Sequence, residues 1–340
     1  MGEFYTKNNN KENEEGENNF LKFLSYNIQN WKKQNENTFI SKISQGKEKN
    51  YDIFCIFDGH NGNEVSKFVR NHFCSEFLNN VNKYEIETAI NNTFSKMNLL
   101  MQSEEGKNEI IQLKISSQEE EDKKYKKVLN QNIDEEQIKK LKEELSKEEQ
   151  EEILEYTGCT AISIIIDEKK KRLYFGNIGN SMAIIIGKDY SQIFESKHRP
   201  IDETEKSRIE KANGFIINDK LYGVLNVART FGDFGYIHNS NELNNSYKII
   251  IDQPDIKEYN IKDSDEFIFI ATESVIELFD KEKIGETLID LVKSNNSYDS
   301  LKDKIGNVIK DNIAYDFYNN DTEFGFDNMT YTLIQIKTKN

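Results

Sequence analysis

Along this 340-residue chain the apolar residues gather into short runs divided by long polar stretches. Runs at 51–57, 161–166, 183–186, 249–251 and 267–271 are short and rich in β-branched or aromatic residues, which predicts strands. From residue 158 onward strands are predicted at 158–167, 172–179, 181–187, 192–195, 214–218, 248–252, 266–272 and 329–337. A different spacing appears between them. Val65, Phe68, Val69, His72, Phe73 and Phe77 recur at helical intervals, as do Ile86, Ala89, Ile90, Phe94, Met97 and Leu100. Two core-facing helices follow, with His72 a packed side chain on the first, and further helices are expected at 275–279, 283–292 and 301–313. Short Gly/Asn turns between strands favour antiparallel pairing. The pattern therefore describes an α+β domain of antiparallel sheets flanked by helix pairs.

Two stretches fall outside that pattern. Residues 1–19 are rich in Asn, Glu and Lys and bury little, which predicts a disordered arm ahead of one large domain over 20–340. Residues 102–156 turn to Lys and Glu and read as a charged helical insertion. Asp134 with Gln137 has the form of a capping box, Glu135–Lys139 and Glu143–Lys147 make i,i+4 pairs, and Ile138, Leu141 and Leu145 form a narrow apolar stripe. An exposed helix that can also serve as a protein-docking surface is expected there.

The formal charge of −15 repels nucleic acid and favours cations or basic partners, so a nucleic-acid role is not expected. Cys55, Cys74 and Cys159 form no CxxC pair and are odd in number, which suits reduced thiols inside the cell, in the cytoplasm. No apolar run has the length of a membrane span. Gly2 with Thr6 fits the N-myristoylation pattern, so membrane contact is expected only if Gly2 is acylated, and one acyl chain anchors weakly.

Candidate chemistry concentrates where the run Tyr51-Asp-Ile-Phe-Cys-Ile-Phe ends in Asp58, Gly59 and His60. A carboxylate, a permissive backbone and an imidazole at a strand tip suit metal-bound water and proton transfer. A turn with an incidental His is the other reading. Arg229 and Asp233 read as an ion pair or turn, His198 as loop structure, and His238 as an exposed side chain in an Asn-rich loop.

Several blocks, in order along the chain, resemble the type 2C metal-dependent protein serine/threonine phosphatases. They are 25–37 with Lys32, Glu36 and Asn37, then Asp58-Gly-His60, Gly158-Cys-Thr-Ala161, Gly176-Asn-Ile-Gly-Asn-Ser181, Lys197-His-Arg-Pro200, Val227-Ala-Arg-Thr-Phe-Gly-Asp233, Ala271-Thr-Glu-Ser274 and Asp327-Asn-Met-Thr330. The resemblance implies a four-layer α/β/β/α sandwich of two antiparallel sheets, with a site for one or two Mg2+ or Mn2+ ions. It places Asp58, Gly59, Glu36, Asp327 and Glu273 at the metals and His60 as general acid, while Lys32 stands where the family binds phosphate with Arg. Hard divalent ions require such oxygen donors. The same comparison marks departures. Lys32 replaces a bidentate fork by a point charge, Asn37 and Asn180 stand in place of Asp, Glu273 and Glu277 lengthen Asp, and Ser274 fills a Gly position. These changes imply reduced metal affinity. The expectation is a pseudophosphatase that serves as a binding or structural module, with weak or no phosphoserine/phosphothreonine hydrolysis; the alternative is an active Mn/Mg-dependent phosphatase. In either case the expected partner is a phosphoprotein or other protein, docked through the 102–156 helix.

Overall fold

The computed structural model describes residues 8–44, 51–129, 146–237, 248–279, 283–294, 298–312 and 326–337. Gly2, the capping box and apolar stripe of 134–145, and His238 lie outside them. The chain divides into two compact units: Met1–Asp58, Thr160–His198 and Pro254–Asn340 form the first, Gly59–Cys159 and Arg199–Gln253 the second.

The first unit is built on strands. One antiparallel sheet has the order β1(Asn8–Glu17), β2(Leu21–Asn30), β14(Met329–Ile336), β13(Asp265–Ala271), β7(Met182–Gly187), β8(Ser191–Glu195). The other runs β12(Asp255–Asn260), β6(Arg172–Ile178), β5(Gly158–Asp167), β4(Tyr51–His60), β3(Thr38–Lys42). Alternate residues of each strand decide the layers. Phe23, Phe54, Ile56, Ile162, Ile164, Phe175, Ile185, Ile268 and Ile334 close one core. On the first sheet, the opposite set, Leu24, Ile184, Phe269 and Leu333, packs with α6(Glu273–Ile276), α7(Ile284–Ser294) and α8(Tyr298–Asn312) through Val275, Ile284, Leu288, Leu301 and Ile305. The chain is thus a mixed α+β protein with two large antiparallel sheets and helices, as expected.

The second unit holds α1(Glu64–Val81), α2(Ile86–Met101), α3(Glu104–Leu129), α4(Lys147–Tyr156) and α5(Glu203–Lys211), with the short strands β9(Ile216–Ile217), β10(Lys220–Leu221) and β11(Phe231–Gly232). Phe73 of α1 meets Phe94 of α2 edge-on at 5.4 Å, and Phe94 meets Phe231 at 5.3 Å. A separate small core of Ile209, Leu221, Leu225, Ile237 and Ile249 carries the β9–β10 hairpin.

Three expectations are corrected. Residues 8–17 of the arm form β1, antiparallel to β2 in the register Glu12↔Asn27 to Glu17↔Lys22. An edge strand needs no apolar alternation, because backbone pairing supports it, and Glu15–Lys302 and Glu17–Lys337 add ion pairs. Over residues 104–118 the charged stretch is no detached insertion: Ile110 and Ser117 are buried, Lys114 pairs with buried Glu64, and Ser117 Oγ donates to Asn63 Oδ1 at 2.7 Å. Charged and hydroxyl contacts to α1 replace the apolar stripe that hydropathy looks for. Residues 248–252 form no strand; Ile251 makes only an isolated bridge with Arg229.

Candidate functional site

In the first unit β2 ends at Asn30, whose φ of 56° starts a reversal that an Asn side chain tolerates. Gln29 Nε2 donates to the carbonyls of Lys32 and Lys33 at 3.0 and 2.7 Å, holding the following loop. The backbone N–H of Glu36 donates to Asn328 Oδ1 at 2.8 Å, and Asn328 Nδ2 donates back to the carbonyl of Gln29 at 2.6 Å. Asn328 thereby fixes Glu36 beside Asp327. Lys32 Nζ lies between them, 3.3 Å from Glu36 Oε2 and 3.3 Å from Asp327 Oδ1. Partial burial alone would lower the lysine's affinity for its proton, but the carboxylates of Asp327 and Glu36 outweigh it and raise the pKa above the ordinary lysine value. The ammonium is held charged between two acids.

At the neighbouring strand end, Glu273 opens α6 and its Oε2 accepts from Asn180 Nδ2. Ser274 Oγ donates to the carbonyl of Asn328 at 2.6 Å, tying α6 to the Asp327 loop, so its hydroxyl has structural work where a glycine would have none. Asn37 is buried and its amide donates to Thr330 Oγ1 at 3.2 Å, while Asn27 Nδ2 donates to the Asn37 carbonyl at 2.9 Å. Glu277 caps the end of α6 through its backbone. Asp58 is partly buried at the end of the apolar run of β4.

In the second unit His60 Nε2 lies 2.8 Å from Oδ2 of the fully buried Asp233. As a carboxylate Asp233 only accepts, so Nε2 carries the hydrogen, and that bond sets tautomer and ring orientation. Thr230 Oγ1 donates to the same oxygen at 2.7 Å. Asp233 is itself in a left-handed conformation, held by its N–H to the Thr157 carbonyl at 3.0 Å. Gly158 gives the pair room: a Cβ there would meet the Asp233 carboxylate and come within 2.6 Å of His60 Nε2. Arg229 lies elsewhere in this unit, paired with the buried Glu205.

A family model, described as protein phosphatase 2C, matches residues 101–321, more than half of the chain. This chain belongs to the protein phosphatase 2C family. A Paramecium tetraurelia protein described as "Probable protein phosphatase 2C 4" is 28% identical over the full length of both chains. An Arabidopsis thaliana protein, "Probable protein phosphatase 2C 21", is 26% identical, covering 97% of this chain and 91% of its own. Among solved structures, a phosphatase from a pathogenic strain of Toxoplasma gondii shares the fold with a TM-score of 0.65 at 16% identity, covering 97% of this chain and 96% of its own.

Phosphatases 2C are metal-dependent, generally through Mg2+ or Mn2+. The carboxylates that the resemblance assigns to the metals have other partners here. Glu36 and Asp327 converge on an ammonium, Glu273 on an amide, and among the described residues no three Asp, Glu, His or Cys side chains form a group that could hold a metal. The sequence-predicted residues are therefore brought together in two pairs, Glu36–Asp327 around Lys32 and Glu273 with Asn180, while His60 has its own partner in Asp233. Sequence reading missed Asn328, Thr230 and the spatial role of Gly158. All three lie within quoted family-like blocks, where position alone does not say which carboxylate each residue serves.

Proposed function

We propose that this phosphatase 2C chain is a pseudophosphatase, a protein-binding module with weak or no hydrolysis of phosphoserine or phosphothreonine esters. The position of Lys32 carries the reading: its ammonium already sets one positive charge between Glu36 and Asp327. One fixed monovalent charge neither activates water as a metal does nor clamps phosphate bidentately. The partner is a protein, and the charge of −15 favours a basic one. Three cysteines, odd in number and without a CxxC pair, accord with a reducing cytoplasm, and contact with a membrane requires acylation of Gly2.

The 2.8 Å contact of His60 with Asp233 favours a second reading, an active Mn2+- or Mg2+-dependent protein serine/threonine phosphatase. In it the oriented imidazole would protonate the leaving seryl or threonyl oxygen.

Hydrolysis of a small aryl phosphate by the full chain, with Mn2+, Mg2+ or chelator, separates the two. The pseudophosphatase reading expects rates no higher than those of Asp58→Ala and His60→Ala. Chelator-sensitive turnover that vanishes in Asp58→Ala would sink it.

A further inference from the structure

The second unit exposes large apolar side chains in one short segment: Phe215 and Val224 are each 54% exposed and Ile217 48%. They sit on and beside the β9–β10 hairpin, which reverses at Asn218 and Asp219 with φ of 50° and 65°. Such a cluster costs hydration unless something covers it. It does not stand alone. Phe215 meets Tyr222 edge-on at 4.5 Å, Tyr222 stacks on Tyr236 at 5.8 Å, and Tyr236 meets Tyr156 at 5.2 Å. The ladder begins at the turn that holds Asp233, since the N–H of Tyr236 donates to the Asp233 carbonyl at 2.9 Å. Asn61, next to His60 in the chain, donates through Nδ2 to the carbonyl of Tyr156 at 2.9 Å. Rings therefore run in three steps from the surroundings of His60 to the exposed Phe215.

Charge lies beside the rings. Tyr156 ends α4, whose Glu148, Glu149, Glu151, Glu152 and Glu155 are all exposed. Lysine on this helix is confined to Lys147 at its start. The hairpin contributes one exposed charge of each sign, Asp219 and Lys220, which leaves the acidic helix dominant. Aromatic faces next to carboxylates suit Arg, which stacks on the ring while its edge pairs with the acid, and the Phe215–Val224 end suits a bulky apolar side chain.

We propose that the ladder Tyr156–Tyr236–Tyr222–Phe215, with the acidic face of α4, docks an extended protein segment carrying arginines and one bulky apolar residue. This names the partner chemistry of the binding module proposed above and rests on that reading.

The test uses the full chain and a fluorescein-labelled synthetic peptide of alternating Arg and Gly around a single Phe, followed by polarisation. The expected result is saturable binding that weakens about tenfold or more in the double variant Phe215→Ser/Val224→Ser, and likewise when the peptide Phe becomes Ser. In Glu151→Lys/Glu155→Lys binding weakens and loses its dependence on salt. All the altered side chains are exposed, so the variants should melt as the parent does. No saturable binding by the unaltered chain, or equal affinity in the double variant, overturns the proposal. So does light scattering in which the unaltered chain self-associates and Phe215→Ser/Val224→Ser does not, because a second copy then covers the patch. Failure of the pseudophosphatase reading shows elsewhere, as chelator-sensitive turnover of an aryl phosphate too small to reach the ladder.

Discussion

Asp52 is a carboxyl with no exposure, set inside an apolar strand of the first unit. Its Oδ1 accepts from the Ser44 N–H at 2.8 Å and from Asn18 Nδ2 at 3.1 Å, and Asn18 Nδ2 also donates to Glu168 Oε1 at 2.6 Å. Burial pushes the Asp52 pKa up to about 7, with Glu168 acting in the same direction. An unfolded Asp titrates near 4, so the folded state binds this proton more tightly than the unfolded one. The stabilisation is complete below about pH 4 and is lost as pH rises through about 7. Asp52→Asn should therefore flatten the fall in melting temperature across that window; a variant whose curve runs parallel to the parent would refute the assignment. None of this was legible beforehand. Asn18, Ser44 and Glu168 are scattered through the chain, and an Asp inside an apolar run looks like an interruption until the fold collects its partners. Asp58, Gly59 and His60 drew notice in the sequence because they stand in consecutive residues, and of the three His60 is seen with a carboxylate partner, Asp233.

Among the elements, α5 shows what buried charge does where no reaction is involved. Glu205 is almost fully buried, and both Arg208 and Arg229 pair with it. Burial by itself raises the Glu205 pKa, but the two guanidinium groups prevail and lower it below the ordinary value. Arg208 Nη2 goes on to donate to the carbonyls of Ala228 and Ile249 at 2.8 and 3.0 Å, so one side chain joins three segments. Glu205→Ala would leave two guanidinium groups without their counter-ion and should cost about 3 kcal/mol or more in urea unfolding. Lys206→Ala, which removes an exposed pair with Glu210, should stay within about 0.5 kcal/mol. Similar costs for both variants would contradict the assignment. Helices and strands with apolar periodicity, such as α1, α2 and β13, were readable in advance because burial wrote their spacing. β1 and the first turns of α3 were not, because backbone pairing and polar contacts hold them.

At the scale of the whole molecule, two antiparallel sheets and their helices reproduce the protein phosphatase 2C fold although sequence changes leave only 16% identity to the Toxoplasma gondii phosphatase structure. A core tolerates such changes because strand packing depends on apolar volume, and the polar strand ends contribute little to it. The resemblance of motif blocks was enough to place the fold. It could not show that Lys32 would swing between Glu36 and Asp327, since a side chain's partner depends on geometry beyond residue type. Replacing Lys32 by a Met of similar length removes that charge and leaves two carboxylates aimed at one point. Calorimetric titration of Mn2+ into the full chain and into Lys32→Met compares the fixed ammonium with the ion directly. The resident-cation reading predicts little or no binding by the parent and an affinity at least about tenfold higher in Lys32→Met, a difference of about 1.4 kcal/mol. Mn2+ binding by the parent as tight as, or tighter than, that of Lys32→Met would contradict it.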